Sequence, residues 1–359
     1  MLGRYQILGP LGEGGMGVVY RARDAELGRD VAVKLVTTSA SSDTLATRLQ
    51  REAQALAQLS HPNVVAVYDV GRVEDGVFLA MELVAGETGD AWLKKRPPWR
   101  EVLHVFRDAG RGLAAAHEVG LIHRDFKPAN LILGSDGRVR VLDFGLARTA
   151  QVGGGGADAR ELESLGDHAP TWSGETATPP TKDGEPSKDA EPSKDAEPSK
   201  ESSRESLTSS ERRLLETPLT QVGAIVGTPP YMAPEQHLGA SCDARTDQFS
   251  FCVSFYQALY GERPFDGKNY AELSTNIIKG KVKPAPAGSS VPAWLRAVVL
   301  RGLSVAPEKR FASMNDILDA MARDPAVRRR RIASAASVAL LVSIAGFASW
   351  RSLHGPSPC

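Results

Sequence analysis

Cysteine is scarce in this chain: Cys242, Cys252 and Cys359 are the only three in 359 residues, far apart and without a CxxC pair. That scarcity argues against a disulfide framework and a cysteine zinc site, and it fits a reducing cytosol. Net charge is missing too. Because 43 Lys and Arg balance 43 Asp and Glu, no whole-molecule field steers the chain toward nucleic acid or acidic polymers, and nucleic acid is not an expected partner. No basic, apolar leader opens the sequence. MLGRYQILGPLGEGGMG runs directly into a glycine-rich turn, so the main body is expected to stay inside the cell.

Hydrophobic residues make up 42% of the chain, enough for one sizeable core with a modest appendage. From Tyr5 to about Glu82, short β-branched runs (VVYRARD, DVAVKLV, VVAVYDV, VFLAMEL) alternate with one helical stretch, TLATRLQREAQALAQL. This pattern predicts a small sheet with a helix. From Trp99 onward come a helix-like segment, EVLHVFRDAGRGLAAAHEVG, and two short strands, LILG and VRVLD, divided by the turn SDGR. After GTPPYMAPEQ, helical texture runs through DQFSFCVSFYQALYGERPF, AELSTNIIKG, PAWLRAVVLRGL and SMNDILDAMAR, ending near Asp324.

Two segments stand apart. Residues from about 150 to 216 open with Gly153 to Gly156 and continue into a hexad repeat, TKDGEPSKDAEPSKDAEPSKESSRES. Their charges, prolines and serines lack the apolar surface that offsets chain entropy, so disorder is expected, serving as a spacer or as an interaction tail. The second is Arg328 to Arg331 followed by IASAASVALLVSIAGFASW and a short polar tail. At about 1.5 Å per residue, 332–350 would reach roughly 28 Å, close to the hydrocarbon thickness. A single membrane span is expected, with residues 324–331 as a basic juxtamembrane segment on the cytoplasmic side and Trp350 at the far interface. An interfacial or packed helix is the alternative, since Ala and Ser dilute its apolar character. The tail, 351–359, is too short to fold or enclose a ligand.

The densest chemistry lies in HRDFKPANLILGSDGRVRVLDFG, from His123 to Gly145. Asp125 can accept a hydroxyl proton, Lys127 can neutralise a phosphate oxygen, and Asn130 with Asp143 offer the hard oxygen donors that Mg²⁺ takes. Gly12, Gly14, Gly15 and Gly17 lie in LGEGGMGVVYRA, where missing side chains let backbone amides approach phosphates. Alone that is an ordinary hairpin turn. Lys34 sits among apolar neighbours in VAVK, where an ammonium needs a carboxylate, and Glu52 of RLQREAQAL is the expected partner, a solvated helix glutamate being the alternative.

Taken in order, these motifs resemble bacterial Hanks-type serine/threonine protein kinases over roughly residues 5 to 323. The implied fold is α+β and bilobal: a small β-rich N-lobe with one helix at 5–85 and a larger helical C-lobe at 86–323, followed by the membrane helix. The resemblance implies an ATP site of Leu11, Gly12, Glu13, Gly14, Gly15, Met16, Gly17, Val18, Ala32 and Lys34. Met81 would guard its back, and Glu82 to Val84 would present backbone groups to the adenine edge. Asp125, Lys127, Lys34 and Glu52 are the implied catalytic set, with Mg²⁺, or Mn²⁺ in its place, on Asn130 and Asp143.

Lys127 and Thr228 of GTPPYMAPE mark the serine/threonine branch by resemblance, so the implied substrates are Ser and Thr hydroxyls of proteins. His123 and Phe144 are expected to pack in the core and align the lobes, Glu235 and Arg310 to form an internal ion pair, and Asp247 to hold the catalytic loop. Cys252 stands where many relatives carry glycine. Arg124, preceding Asp125, implies control by a phosphorylated activation segment, with Thr220 the first candidate and Thr217 the reserve. The insertion lies within that segment, and lengthening a flexible loop costs only about 0.6 kcal/mol per doubling, so folding should tolerate it. Self-association for trans-autophosphorylation and attachment to the cytoplasmic membrane complete the expectation. The rival is a pseudokinase scaffold; a small-molecule phosphotransferase fits GTPPYMAPE poorly.

Overall fold

Alternating β-branched residues make the first part of the chain a five-stranded antiparallel sheet of order β1-β2-β3-β5-β4. The strands are β1 (Tyr5–Gly14), β2 (Gly17–Asp24), β3 (Arg29–Thr37), β4 (Val67–Val73) and β5 (Gly76–Glu82). The structure is a computed structural model and describes residues 2–14, 17–37, 43–73, 76–144, 228–324, 337, 342–346, 349 and 350. Helix α1 (Asp43–Gln58) lies against this sheet, with Ala53 and Leu56 buried. Arg72 of β4 fastens it, donating to Thr47 Oγ1 at 2.8 Å and Gln50 Oε1 at 2.9 Å.

The run VVAVYDV becomes a strand only from Val67, three residues later than its composition suggests. Val64 instead forms a parallel bridge to Val141, and Val65 N–H donates to Val141 O at 3.0 Å. These residues therefore belong to a second, three-stranded sheet's margin. That sheet has the order β6 (Gly86–Thr88), β7 (Leu131–Gly134), β8 (Val139–Val141).

Helices α2 (Gly89–Leu93), α3 (Trp99–Glu118), α4 (Pro234–His237), α5 (Ala244–Tyr260), α6 (Tyr270–Ile278), α7 (Ala293–Gly302) and α8 (Met314–Ala322) build the rest. α5 runs through the middle of the helical part and is buried continuously from Thr246 to Tyr256. Asp243 caps its start, accepting from Arg245 N–H at 2.8 Å, and Gly261 ends it at φ 74°, a left-handed conformation that suits glycine. Phe106 of α3 stacks on Phe255 at 4.9 Å and meets Phe251 edge-on at 5.5 Å. Phe126, from the loop after α3, joins Phe251 at 5.6 Å. Each such ring contributes about 1.5–3 kcal/mol of burial, so that loop is seated by its own core residue.

Several expectations fall outside the described residues: Gly15, Met16, Thr217, Thr220, the insertion at about 150–216, the arginine run, the tail, and most of 332–350. Among the described residues no helix is long and apolar enough to cross a membrane.

Candidate active site

The loop between α3 and β7 is shaped by one buried carboxylate. Asp247 of α5 accepts from His123 N–H and Arg124 N–H, both at 2.7 Å, and from His117 Nε2 at 2.8 Å. Burial alone would raise the Asp247 carboxyl; the contacts with His117 and His123 together outweigh it and keep the group below the usual carboxylate range. Arg124 adopts φ 63°, uncommon for a residue with a side chain, and the two adjacent amides pinned to Asp247 hold it there. His123 is buried and donates from Nε2 to Leu142 O at 2.8 Å, while its Nδ1 accepts from Asp125 N–H at 3.3 Å. Burial lowers its pKa, so it stays neutral; its ring tilts against Phe144 at 4.8 Å.

Phe126 points into the core, and Asp125 beside it receives Lys127 Nζ on Oδ2 at 2.7 Å. The same ammonium donates to Thr228 Oγ1 at 2.6 Å, so the loop touches the chain where it returns at residue 228. Asn130 closes the loop from behind, Nδ2 donating to Asp125 O at 2.8 Å.

Across the cleft, Lys34 Nζ meets Asp143 Oδ1 at 2.8 Å. Asp143 also has positive φ, 53°. Glu52, the expected partner of Lys34, lies in α1. Glu52 lines a cavity of about 80 Å³ with Leu56, Leu121, Arg124 and Phe144. A nearly buried ammonium requires one countercharge, and Asp143 supplies it.

A divalent ion fits this donor set. No cluster of three or more His, Cys, Asp or Glu could hold a metal among the described residues. Asp143 and Asn130 would supply two oxygens, the Asn130 amide nitrogen being the atom committed to Asp125 O. Mg²⁺ is commonly held by one or two protein oxygens with substrate phosphates completing the shell.

On the sheet side, Gly17 must be glycine: at φ 130°, a Cβ there would lie 1.9 Å from Leu35 O. Gly12 has nothing within 4 Å of the corresponding position, and Gly14 pairs with Gly17. Beneath that hairpin, Ala32 and Met81 are cross-strand partners, both buried; Val18 is half-buried and Leu11 exposed. Of the connector residues from Glu82 to Val84, Glu82 commits its N–H to Ala66 O at 2.8 Å. The backbone of Glu13 lies in β1.

Past Thr228, Glu235 and Arg310 form a buried pair at 2.7 and 2.8 Å. Arg310 also donates to Ser304 O, Arg245 O and Val305 O, so all five of its N–H groups have acceptors. Gln236 Nε2 donates to Arg124 O at 3.0 Å, joining this segment to the loop of Asp125.

Comparison with known proteins is consistent with this geometry. Residues 5–161 match the protein kinase domain family. Curated relatives include the serine/threonine-protein kinase pkn2 of Myxococcus xanthus, 32% identical over 332 residues, covering 89% of this chain and 32% of that protein. PknB of Mycobacterium tuberculosis is 30% identical over 365 residues, 98% of this chain and 48% of PknB. PknA of the same organism is 30% identical over 335 residues, 91% of this chain and 62% of PknA. The chain thus spans less than two thirds of each of these relatives, all bacterial serine/threonine-protein kinases, which support the Hanks type. Sequence reasoning missed His117 as a partner of Asp247, the Lys127–Thr228 bond and a pairing of Arg140 with Glu82. Only the last left a signal, an arginine between two valines of a buried strand.

Proposed function

We propose that this chain is an active ATP-dependent serine/threonine protein kinase that passes the terminal phosphoryl group to Ser or Thr hydroxyls of proteins, its own activation segment included. The observation that carries it is convergence: Lys34 and Asp143 meet across the cleft, while Asp125, Lys127, Asn130 and Thr228 are joined by direct bonds. ATP, when bound, supplies the transferable phosphoryl group, and Mg²⁺, or Mn²⁺, neutralises its charge. Lys34 and the β1–β2 hairpin hold the phosphates, Asn130 and Asp143 the ion, and Ala32, Met81, Val18 and the connector from Glu82 to Val84 the adenine. Asp125 orients the acceptor hydroxyl and receives its proton, with Lys127 beside it offsetting negative charge.

Asp125→Asn, an isostere that cannot take the proton, should lower kcat by about 10² to 10⁴ in radiolabel transfer to a protein substrate. Turnover within a few fold of wild type would favour the scaffold reading.

Arg124 would supply the countercharge to a phosphate on Thr220, or on Thr217, and two copies would serve as enzyme and substrate for each other. The boundaries proposed are an N-lobe at 5–85 and a C-lobe at 86–323 interrupted by the insertion. Residues 332–350 are proposed as a single span of the cytoplasmic membrane, with the kinase domain on the cytoplasmic side. The exposed apolar side chains of Val342, Ile344 and Trp350 support it. Recovery of the full chain in an alkaline-washed membrane fraction is expected; release with the soluble fraction would refute the anchor.

A further inference from the structure

We propose that Arg140 is a positioning residue for the nucleotide site, clamping the connector between the lobes to strand β8. The inference rests on the kinase reading above and deepens it. Arg140 lies between Val139 and Val141 and is 7% exposed, a position that a lone guanidinium could not occupy without acceptors. Two carboxylates share it. Nε and Nη2 reach Glu82 Oε2 and Oε1 at 3.1 and 3.0 Å, and Nη1 and Nη2 reach Asp136 Oδ1 and Oδ2 at 3.1 and 2.8 Å.

Glu82 is the last residue of β5 and the first of the connector. Its N–H is held by Ala66 O and its carboxylate by Arg140, so both its backbone and its side chain are fixed. The connector's far end is fixed as well. Ser135 N–H donates to Ala85 O at 2.8 Å, and Gly86 pairs with Gly134 so closely that a Cβ on Gly86 would lie 2.2 Å from Leu133 O. Asp136, in the same turn as Ser135, ties the two anchors together through Arg140. Leu83 and Val84 are left suspended between fixed points, and their backbone is what the adenine edge would meet. The Glu82 pair is the sheltered one; Asp136 is more open to water, so its contact is the more screened.

An adenine contact is made equally in the ground and transition states, so loosening it should raise KM and leave kcat in place. In Arg140→Met, KM for ATP and the Kd of Mg-ATP measured by calorimetry should both rise about tenfold, with kcat at saturating ATP within about twofold. Arg140→Lys keeps a charge but loses the two-pronged geometry, and a rise of about threefold is expected. Asp136→Asn, which leaves the Glu82 contact intact, should stay within about twofold. Unchanged KM and Kd in a folded Arg140→Met protein, whatever its melting temperature, would overturn the proposal. If Arg140→Met fails to fold, Arg140→Lys decides, an unchanged Kd again counting against it. Absence of phosphoryl transfer by the wild type would sink the kinase reading alone, because the calorimetric Kd still measures the clamp.

Discussion

Replacing Arg310 by Met removes a charge whose partner cannot reach water. Arg310 is 2% exposed and Glu235 7%. Without the guanidinium, the Glu235 carboxylate keeps only Thr246 Oγ1, at 2.9 Å, as a side-chain donor, and the carbonyls of Ser304, Val305 and Arg245 each lose an N–H. Breaking a buried pair from one side costs about 3–5 kcal/mol. A domain stable by about 5–15 kcal/mol would lose a fifth or more of its margin. At about 2–4 °C per kcal/mol, the melting temperature should fall roughly 6–20 °C. The double variant Arg310→Met/Glu235→Leu should recover much of this, since it strands no charge.

The pH dependence provides a second readout of the same pair. Burial pushes the Glu235 carboxyl up, and the bonds and charge of Arg310 together with the backbone and Thr246 hydrogen bonds outweigh it, leaving the folded value below the ordinary 4.5. A depressed carboxylate stabilises the fold above its unfolded pKa and loses that contribution as pH falls through the folded value. The difference between wild type and Arg310→Met should therefore be full near neutrality and shrink below about pH 4.5. Calorimetry or urea unfolding at several pH values measures it. A cost under about 1 kcal/mol for Arg310→Met at pH 7 would refute the reasoning.

Gly302 sits where a Cβ would lie 2.2 Å from Cys252 Sγ. Gly302→Ala should cost about 1–3 kcal/mol by overpacking, and Cys252→Ala in the same chain should reverse most of it; additive losses in urea unfolding would contradict this. Burial pushes the Cys252 thiol up to about 12, so iodoacetamide at pH 8 should modify Cys242 and spare Cys252 until the protein unfolds. Peptide mapping showing native Cys252 alkylated at the rate of Cys242 would refute it.

The parts legible in the sequence were those where a single residue type has one job. Alternation announced β2, β3 and β5, and the apolar helices announced α3 and α5, although their ends shifted where other forces intervened. GERPF continued the helical texture, yet Gly261 terminates α5 in a left-handed turn. β6, three residues beginning with glycine, has no pattern of its own; pairing with β7 creates it. Within the site, the residues of HRDFKPAN and DFG could be named from their chemistry. Their partners could not, since a charge in a sequence does not state which of several opposite charges reaches it. Lys34 shows this, since its contact with Asp143 joins two segments more than a hundred residues apart. Cys252, read as a departure from a customary glycine, is accommodated by Gly302, and that compensation lies on a different helix.

The start of α5 carries three adjacent polar side chains, each serving a different part of the molecule: Thr246 donates to Glu235, Asp247 seats the loop of Asp125, and Gln248 exchanges hydrogen bonds with the backbone of Phe311. Successive side chains on a helix are turned by about 100°. Adding or deleting one residue at this end would therefore misdirect all three together. The angular phase of a single helix thus synchronises the substrate-side loop, the chemical loop and the distal helices, and point substitutions that keep that phase are the changes this region can absorb one at a time.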